Sequence, residues 1–160
     1  MENINIRITM ENGKTMEAEL YPDVAPITVD NFVSLIKQGF FAGIIFHRVI
    51  SGFMIQGGDP TGTGMGGSKK EIKGEFLANG VVNNLKHERG VLSMARTMDP
   101  NSASSQFFIM HQDAPHLDGQ YAAFGKITKG IEVVDEIAGV ETDRYDKPLV
   151  DQRIKTIELI

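Results

Sequence analysis

Phe46-His47-Arg48-Val49, followed within a few residues by Gly52-Phe53-Met54-Ile55-Gln56-Gly57-Gly58-Asp59, sets a guanidinium and an amide among large apolar side chains. The same mixture returns in Leu92-Ser93-Met94-Ala95, in Ser105-Gln106-Phe107-Phe108-Ile109, and in Leu117-Asp118-Gly119 running on to Phe124-Gly125-Lys126. Placed on strands, such segments describe a small apolar pocket with a few fixed polar contacts. Singly, the residues say less. Phe53, Met54 and Phe108 alone read as core, Arg48 as a surface ion-pair partner, and Gln56 and Gln106 as groups that satisfy strand edges. Their recurrence together is what points to a binding cleft.

Other chemistries find no support. Gly62-Thr63-Gly64-Met65-Gly66-Gly67 fits G-x-G-x-x-G, but the chain continues Ser68-Lys69-Lys70-Glu71, which has no buried helical face to follow a dinucleotide loop. No Lys follows Gly67, so the phosphate-loop pattern fails too, and the run reads as a flexible glycine loop. His47, His87, His111 and His116 lack ligand spacing on one helix or hairpin, which argues against a metal site. Ser93 has no G-x-S-x-G elbow around it. With no cysteine, neither a disulfide framework nor a thiolate metal site can form.

The elements that must position the cleft are short. Ile4, Ile6, Ile8 and Met10 alternate with polar residues, Asn12-Gly13 suggests a type I′ turn, and Met16, Ala18 and Leu20 alternate on the return. Val29, Phe32, Val33 and Ile36 predict a helix with Thr28 as N-cap, Asp30 in its first turn and Gly39 at its end. A second helix is predicted over 131–137. Strand-like runs cover 44–49, 53–56, 91–95, 106–110, 122–127 and 153–160, the last with a change of apolar phase after Ile154 that implies a bulge. Many short strands, few helices and glycine-rich connections predict an antiparallel sandwich or barrel, and periodicity alone does not separate the two.

At 160 residues the chain suits one domain, 1–160, with no linker, repeat or low-complexity tract. Its formal charge of −5 argues against nucleic acid as a partner. No apolar run reaches the roughly 18 residues of a membrane span, and no basic segment leads into an apolar one at the N-terminus. A cytoplasmic location and a monomeric state are expected.

FHRVISGFMIQGGD, LSMA, SSQFFI and HLDGQYAAFGKI, in this order and spacing, closely resemble the cyclophilin family of prolyl isomerases, over about 4–160. The resemblance implies a mainly β fold, a closed eight-stranded antiparallel barrel capped by two α-helices. It implies an enzyme that needs no cofactor and no metal and acts on proline-containing peptides and folding polypeptides. Carried over by position, it makes Arg48 catalytic, with Phe53, Met54, Phe108 and Leu117 as floor and walls of the proline pocket. Gln56 would hold Arg48 and meet the substrate backbone, with Gln106 beside it, and Ala95 and Arg96 would pair with the peptide as an added strand. Gly64 would border the neighbouring pocket, and His116 and Tyr121 would form the rim.

The residue types suit that chemistry. Rotation about a peptide bond is opposed by a barrier of about 18–20 kcal/mol, because the nitrogen lone pair is conjugated with the carbonyl. In the twisted transition state that nitrogen becomes a hydrogen-bond acceptor. A guanidinium that meets it there binds the twisted form better than either planar one, and only such differential binding accelerates the step.

Two rim positions depart from the best-known eukaryotic members: His116 stands where they carry tryptophan, and Tyr121 where they carry histidine. Tyr121 keeps a flat ring with a polar tip. Weakened affinity for cyclosporin-type macrocycles, with isomerisation retained, is therefore expected. The stretch 96–101 is one residue longer than theirs, and the glycine loop is shorter and carries Met65.

Overall fold

The N-terminal alternation becomes a buried stripe. In the computed structural model, which describes residues 2–160, Ile6, Ile8 and Met10 of β1 (Ile4–Met10) are buried, as are Met16, Ala18 and Leu20 of β2 (Thr15–Leu20). Ile6 pairs with Ala18 and Ile8 with Met16, so one face of the hairpin is apolar throughout. The turn differs from the expected type I′. Only Gly13 has positive φ (86°), and the Gly13 amide donates to the Met10 carbonyl at 2.9 Å while the Met10 amide donates to that of Lys14 at 2.8 Å. That is a three-residue loop with glycine in the left-handed position. The Asn12 carboxamide helps close it by accepting from the Lys14 amide at 2.9 Å.

The remaining elements are α1 (Pro26–Lys37), β3 (Arg48–Ile50), β4 (Met54–Gly57), β5 (Val91–Met94), β6 (Phe107–Met110), β7 (Ala123–Lys129), α2 (Ile131–Ala138) and β8 (Ile154–Leu159). All eight strands join one antiparallel sheet in the order β3-β4-β6-β5-β7-β2-β1-β8. The bulge expected in the last strand is there: Thr9 pairs with Thr156 and Met10 with Ile154, so Lys155 is the extra residue.

The sheet curls but does not close, which corrects the expected closed barrel. Between its two ends the described residues contain a single isolated bridge, Ile45 to Arg153. The cause lies in the chain before β8. Phe46 donates to Gln152 at 2.9 Å, but three residues later the Val49 amide donates to Asp146, at 2.7 Å. The 141–150 segment thus takes the edge of β3 that a closing strand would need, leaving an open half-barrel.

Helix α1 packs against β8, and α2 against β2, β3 and β4. Phe32 of α1 lies at the centre of the main core, its ring 4.9 Å from Phe41, 5.2 Å from Phe107 and 5.0 Å from Phe124. The expected Thr28 cap is replaced. The helix begins at Pro26 after Ala25, which gives no side-chain cap, and Asp30 falls beyond the first turn. Instead the buried Glu75 carboxylate accepts from the Thr28 amide and hydroxyl, both at 2.7 Å, placing negative charge at the positive end of the helix.

Alternation along β4 and β6 divides the interior in two. Ile55, Phe107 and Ile109 belong to the main core with both helices, whereas Met54, Phe108 and Met110 face a smaller cluster with Ala114, Leu117 and Ala123. Ile50, Phe53, Ala95 and Tyr121 pack around that second cluster only partly buried. A partly open apolar surface results.

Candidate active site

A hairpin sets the polar end of this surface. In the β3–β4 pair Arg48 lies opposite Gln56, so both side chains share a face, and the Arg48 Nη1 donates to Gln56 Oε1 at 3.4 Å. Strand β6 continues the pairing, with Gln56 opposite Phe108 and Met54 opposite Met110. Ala95 follows directly on the end of β5 at Met94, and the one-turn 3-10 segment Pro115–Leu117 brings in Leu117. The product is an open cleft of about 140 Å³ lined by Arg48, Phe53, Met54, Gln56, Ala95, Arg96, Phe108, Leu117 and Tyr121.

Gly64 and Gln106 lie next door. They line a larger groove of about 450 Å³ that shares Gln56, Ala95 and Arg96 with the cleft. His116 does not join the cleft wall. In the Pro115–Leu117 turn it is Leu117 that points inward, while His116 is exposed and stacks on the Phe53 ring at 5.9 Å. Its place is behind the wall, bracing Phe53.

One run of hydrogen bonds orients the amides. Gln106 Nε2 donates to the carbonyls of Gly64 (3.0 Å) and Gly66 (2.8 Å), so its oxygen is turned toward Gln56 and accepts from Gln56 Nε2 at 3.0 Å. That leaves the Gln56 oxygen facing Arg48. The glycine loop is itself held from below by Asp59, whose buried carboxylate accepts from the Thr61 hydroxyl and from the amides of Thr61, Gly64 and Gly66. Burial alone would raise the Asp59 pKa, but these four donors outweigh it and hold the carboxyl below its ordinary value. The loop is therefore fixed by one charge, in keeping with the absence of a helix behind it.

Arg96 is a wall rather than a free cation. Its guanidinium lies between the rings of Phe76 (4.8 Å) and Tyr121 (4.6 Å) and donates to the carbonyls of Thr97 (3.0 Å) and Gln120 (2.6 Å). Tyr121 in turn meets Phe108 edge-on at 5.8 Å.

Beneath the floor sits a group that sequence reading passed over. The buried His87 ring stacks on Phe108 at 6.1 Å, its Nδ1 lies 3.0 Å from Asp118 Oδ1, and its Nε2 lies 2.9 Å from the Ser93 hydroxyl. Asp118 also accepts from the His87 amide at 2.6 Å. A carboxylate can only accept, so the Nδ1 carries the proton and the Nε2 accepts from Ser93. Ser93 is fully buried, which keeps it from any substrate. Its position across the sheet from Phe108, with Asp118 following Leu117, was the signal available in the sequence.

Burial lowers the His87 pKa against the opposing hydrogen bond and charge of Asp118, and burial also lowers that of His47, against Asp59. For both, the unfolded chain binds protons more readily than the folded one. The stability they contribute is thus full above the ordinary value of 6.5 and is lost as pH falls through their folded values. Asp118 and Asp59 are held below 3.8, so their contribution is lost only in a more acidic window. The melting temperature should accordingly fall by a few degrees between pH 7 and pH 5, with a shallower slope in His87→Gln. A flat profile across that window would contradict the assignment.

Comparison with known proteins bears on the whole chain. The family model described as cyclophilin type peptidyl-prolyl cis-trans isomerase matches residues 5–159. Peptidyl-prolyl cis-trans isomerase B of Bacillus subtilis is 49% identical over 123 residues, 77% of this chain and 82% of the relative. Some relatives are longer: the chain spans 27% of peptidyl-prolyl cis-trans isomerase-like 2 of Rhizopus delemar, 44% identical over 150 residues and 92% of this chain. Among solved structures, a cyclophilin type isomerase of Cryptosporidium parvum superposes with a TM-score of 0.91 at 36% identity, covering 99% of this chain and 98% of that one. The same protein crystallised in the presence of the dipeptide Ala-Pro gives 0.89 at 37%, covering 98% of each chain.

Proposed function

The chain belongs to the cyclophilin-type peptidyl-prolyl cis-trans isomerases, and from that premise we propose that Arg48 is the catalytic group, acting on X-Pro bonds seated in the cleft beside it. The activity of the family is cofactor-independent isomerisation, and the proposal concerns how these residues perform it, with the whole chain acting as one domain. The observation that carries it is the placement of one oriented guanidinium at the edge of a small apolar cleft.

The proline ring enters between Phe53, Met54, Phe108 and Leu117, where shape and apolar surface hold it while the preceding carbonyl swings. Arg48 meets the imide nitrogen as its lone pair leaves conjugation. The Gln106–Gln56 run sets the guanidinium beforehand, so little reorganisation accompanies the step. A guanidinium suits the task because its donors form a rigid, permanently charged fork. No nucleophile, metal or general base is asked for, since no covalent bond is made or broken. Substrates are X-Pro bonds in folding or flexible polypeptides, which otherwise exchange over tens to hundreds of seconds.

Exchange spectroscopy on a short Ala-Pro peptide tests this reading. An isomerase gives cis–trans cross-peaks within a second of mixing. A protein that binds proline segments only as a scaffold shifts the resonances without those cross-peaks, and that result would refute the proposal.

Cyclosporin-type macrocycles should bind weakly, because His116 stands outside the cleft wall and extends no large donor-bearing ring over the rim. Titration is the check, and nanomolar affinity would contradict it.

A further inference from the structure

Phe53 is a wall of the cleft, yet it stands at the tip of a hairpin whose first strand, β3, has only three residues. Ser51 and Gly52 at that tip are exposed, and the turn is closed by the Phe53 amide donating to the Ile50 carbonyl at 3.0 Å. A short, exposed tip with few buried contacts opens locally at little cost. What holds this one from outside is His111, the residue that directly follows β6.

His111 grips the backbone on both sides of Phe53. Its amide donates to the Phe53 carbonyl at 2.9 Å, and its ring Nδ1 accepts from the Gly52 amide at 2.8 Å. A backbone N–H can only donate, so Nδ1 carries no proton and Nε2 does. That proton faces Asp135 of α2, whose Oδ1 lies 3.1 Å from Nε2. Asp135 is a firm acceptor, because Arg89 holds both of its oxygens, at 2.6 and 2.8 Å, and keeps the carboxyl below its ordinary value. Arg89 also donates to the His111 carbonyl at 3.0 Å, and its own amide is taken by Asp113 at 2.8 Å. The imidazole, its side chain only 15% exposed, is thereby fixed in both plane and tautomer. His111, Asp135 and Arg89 all lie outside the cleft lining.

We infer that His111 is a positioning residue for the proline cleft, setting where the Phe53 ring stands by clasping the backbone before and after it. The inference rests on the reading of the cleft as the proline site and adds to it a residue from behind the wall. With the Gly52 amide and the Phe53 carbonyl both held, the Phe53 backbone has little freedom, and the ring leans on His116 at 5.9 Å. A wall already in place spares part of the ordering cost of binding. Such a wall serves planar and twisted imides alike, so its effect belongs in KM.

Three variants separate the clasp from mere packing. His111→Ala should raise KM on an Ala-Pro peptide about three- to fivefold, the scale of one lost hydrogen bond, and leave kcat within about twofold. Asparagine puts a carboxamide oxygen where Nδ1 stands but does not reach Asp135, and His111→Asn should return KM to within about twofold of wild type. Glutamine reaches toward Asp135 but offers Gly52 no acceptor, so His111→Gln should resemble the alanine variant. An unchanged KM in His111→Ala, a loss confined to kcat, or rescue by Gln and not by Asn would overturn the inference. In the unaltered protein, nitrogen-15 spectra of the His111 ring at neutral pH should show Nδ1 bare and Nε2 protonated; the opposite tautomer would overturn it with no variant needed. Peptide Kd from chemical-shift titration should change by the same factors as KM. If wild type gives no exchange cross-peaks, the isomerase reading falls, while these Kd ratios still decide the clasp.

Discussion

Arg48→Ala should lower kcat/KM on an Ala-Pro peptide by about a thousandfold while leaving peptide affinity within a few-fold of wild type. A loss of about 4 kcal/mol of transition-state stabilisation corresponds to that factor, and single preorganised donors elsewhere are worth about 10²–10³ in kcat. Affinity should survive because the walls, Phe53, Met54, Phe108 and Leu117, do not depend on Arg48 for their packing. Lysine should not restore the rate. Its ammonium is a mobile point charge that cannot accept the orientation Gln56 imposes on a planar fork. Gln56→Ala should cost less than Arg48→Ala, since it only releases the guanidinium. Exchange rates within threefold of wild type for Arg48→Ala would remove the mechanism.

Phe32→Ala should destabilise the fold by about 3–5 kcal/mol, the range for deleting a buried aromatic ring. Against the roughly 5–15 kcal/mol that holds a domain of ordinary size together, that is a large share. The site cannot collapse to fill the gap, because three further rings, from Phe41, Phe107 and Phe124, stand around it on different elements. Phe107 precedes Phe108 on β6, and the two point to opposite faces. The hole would therefore open directly behind Phe108, which lines the cleft. Denaturant unfolding should show the midpoint falling at constant slope. A change below about 1 kcal/mol would mean that Phe32 is not the centre of the core.

What the sequence disclosed follows physical range. Alternation in 4–10 and the phase change after Ile154 were readable because a strand's period and its bulge are local properties. The segments around Arg48, Phe53, Gln56 and Phe108 were readable through their resemblance to a family. The loss of the Thr28 cap to Glu75 was not, because its partner lies 47 residues away and no local rule names it. Nor was the turn at Asn12-Gly13, where a single positive φ sufficed and Asn12 served with its side chain. His116 fell outside the cleft because a one-turn helix can aim only one of its neighbours inward, and the larger apolar residue, Leu117, took that place. The His87–Asp118 pair was hidden for a related reason: a histidine, a serine and an aspartate from three stretches reveal nothing until the sheet stacks them under Phe108.

The single bridge between Ile45 and Arg153 has a bearing on solubility. A curled sheet that fails to seal would ordinarily offer a free ladder to a stranger's strand. Here β3 has only three residues, and the Asp146 carbonyl already occupies the Val49 amide beside it. At the other border, the start of β8 is covered by the backbone of 43–46. Short, occupied margins of this kind deny intermolecular strands a landing site. The curled sheet can thus stay open at its seam without offering either margin as a template for strands of other molecules.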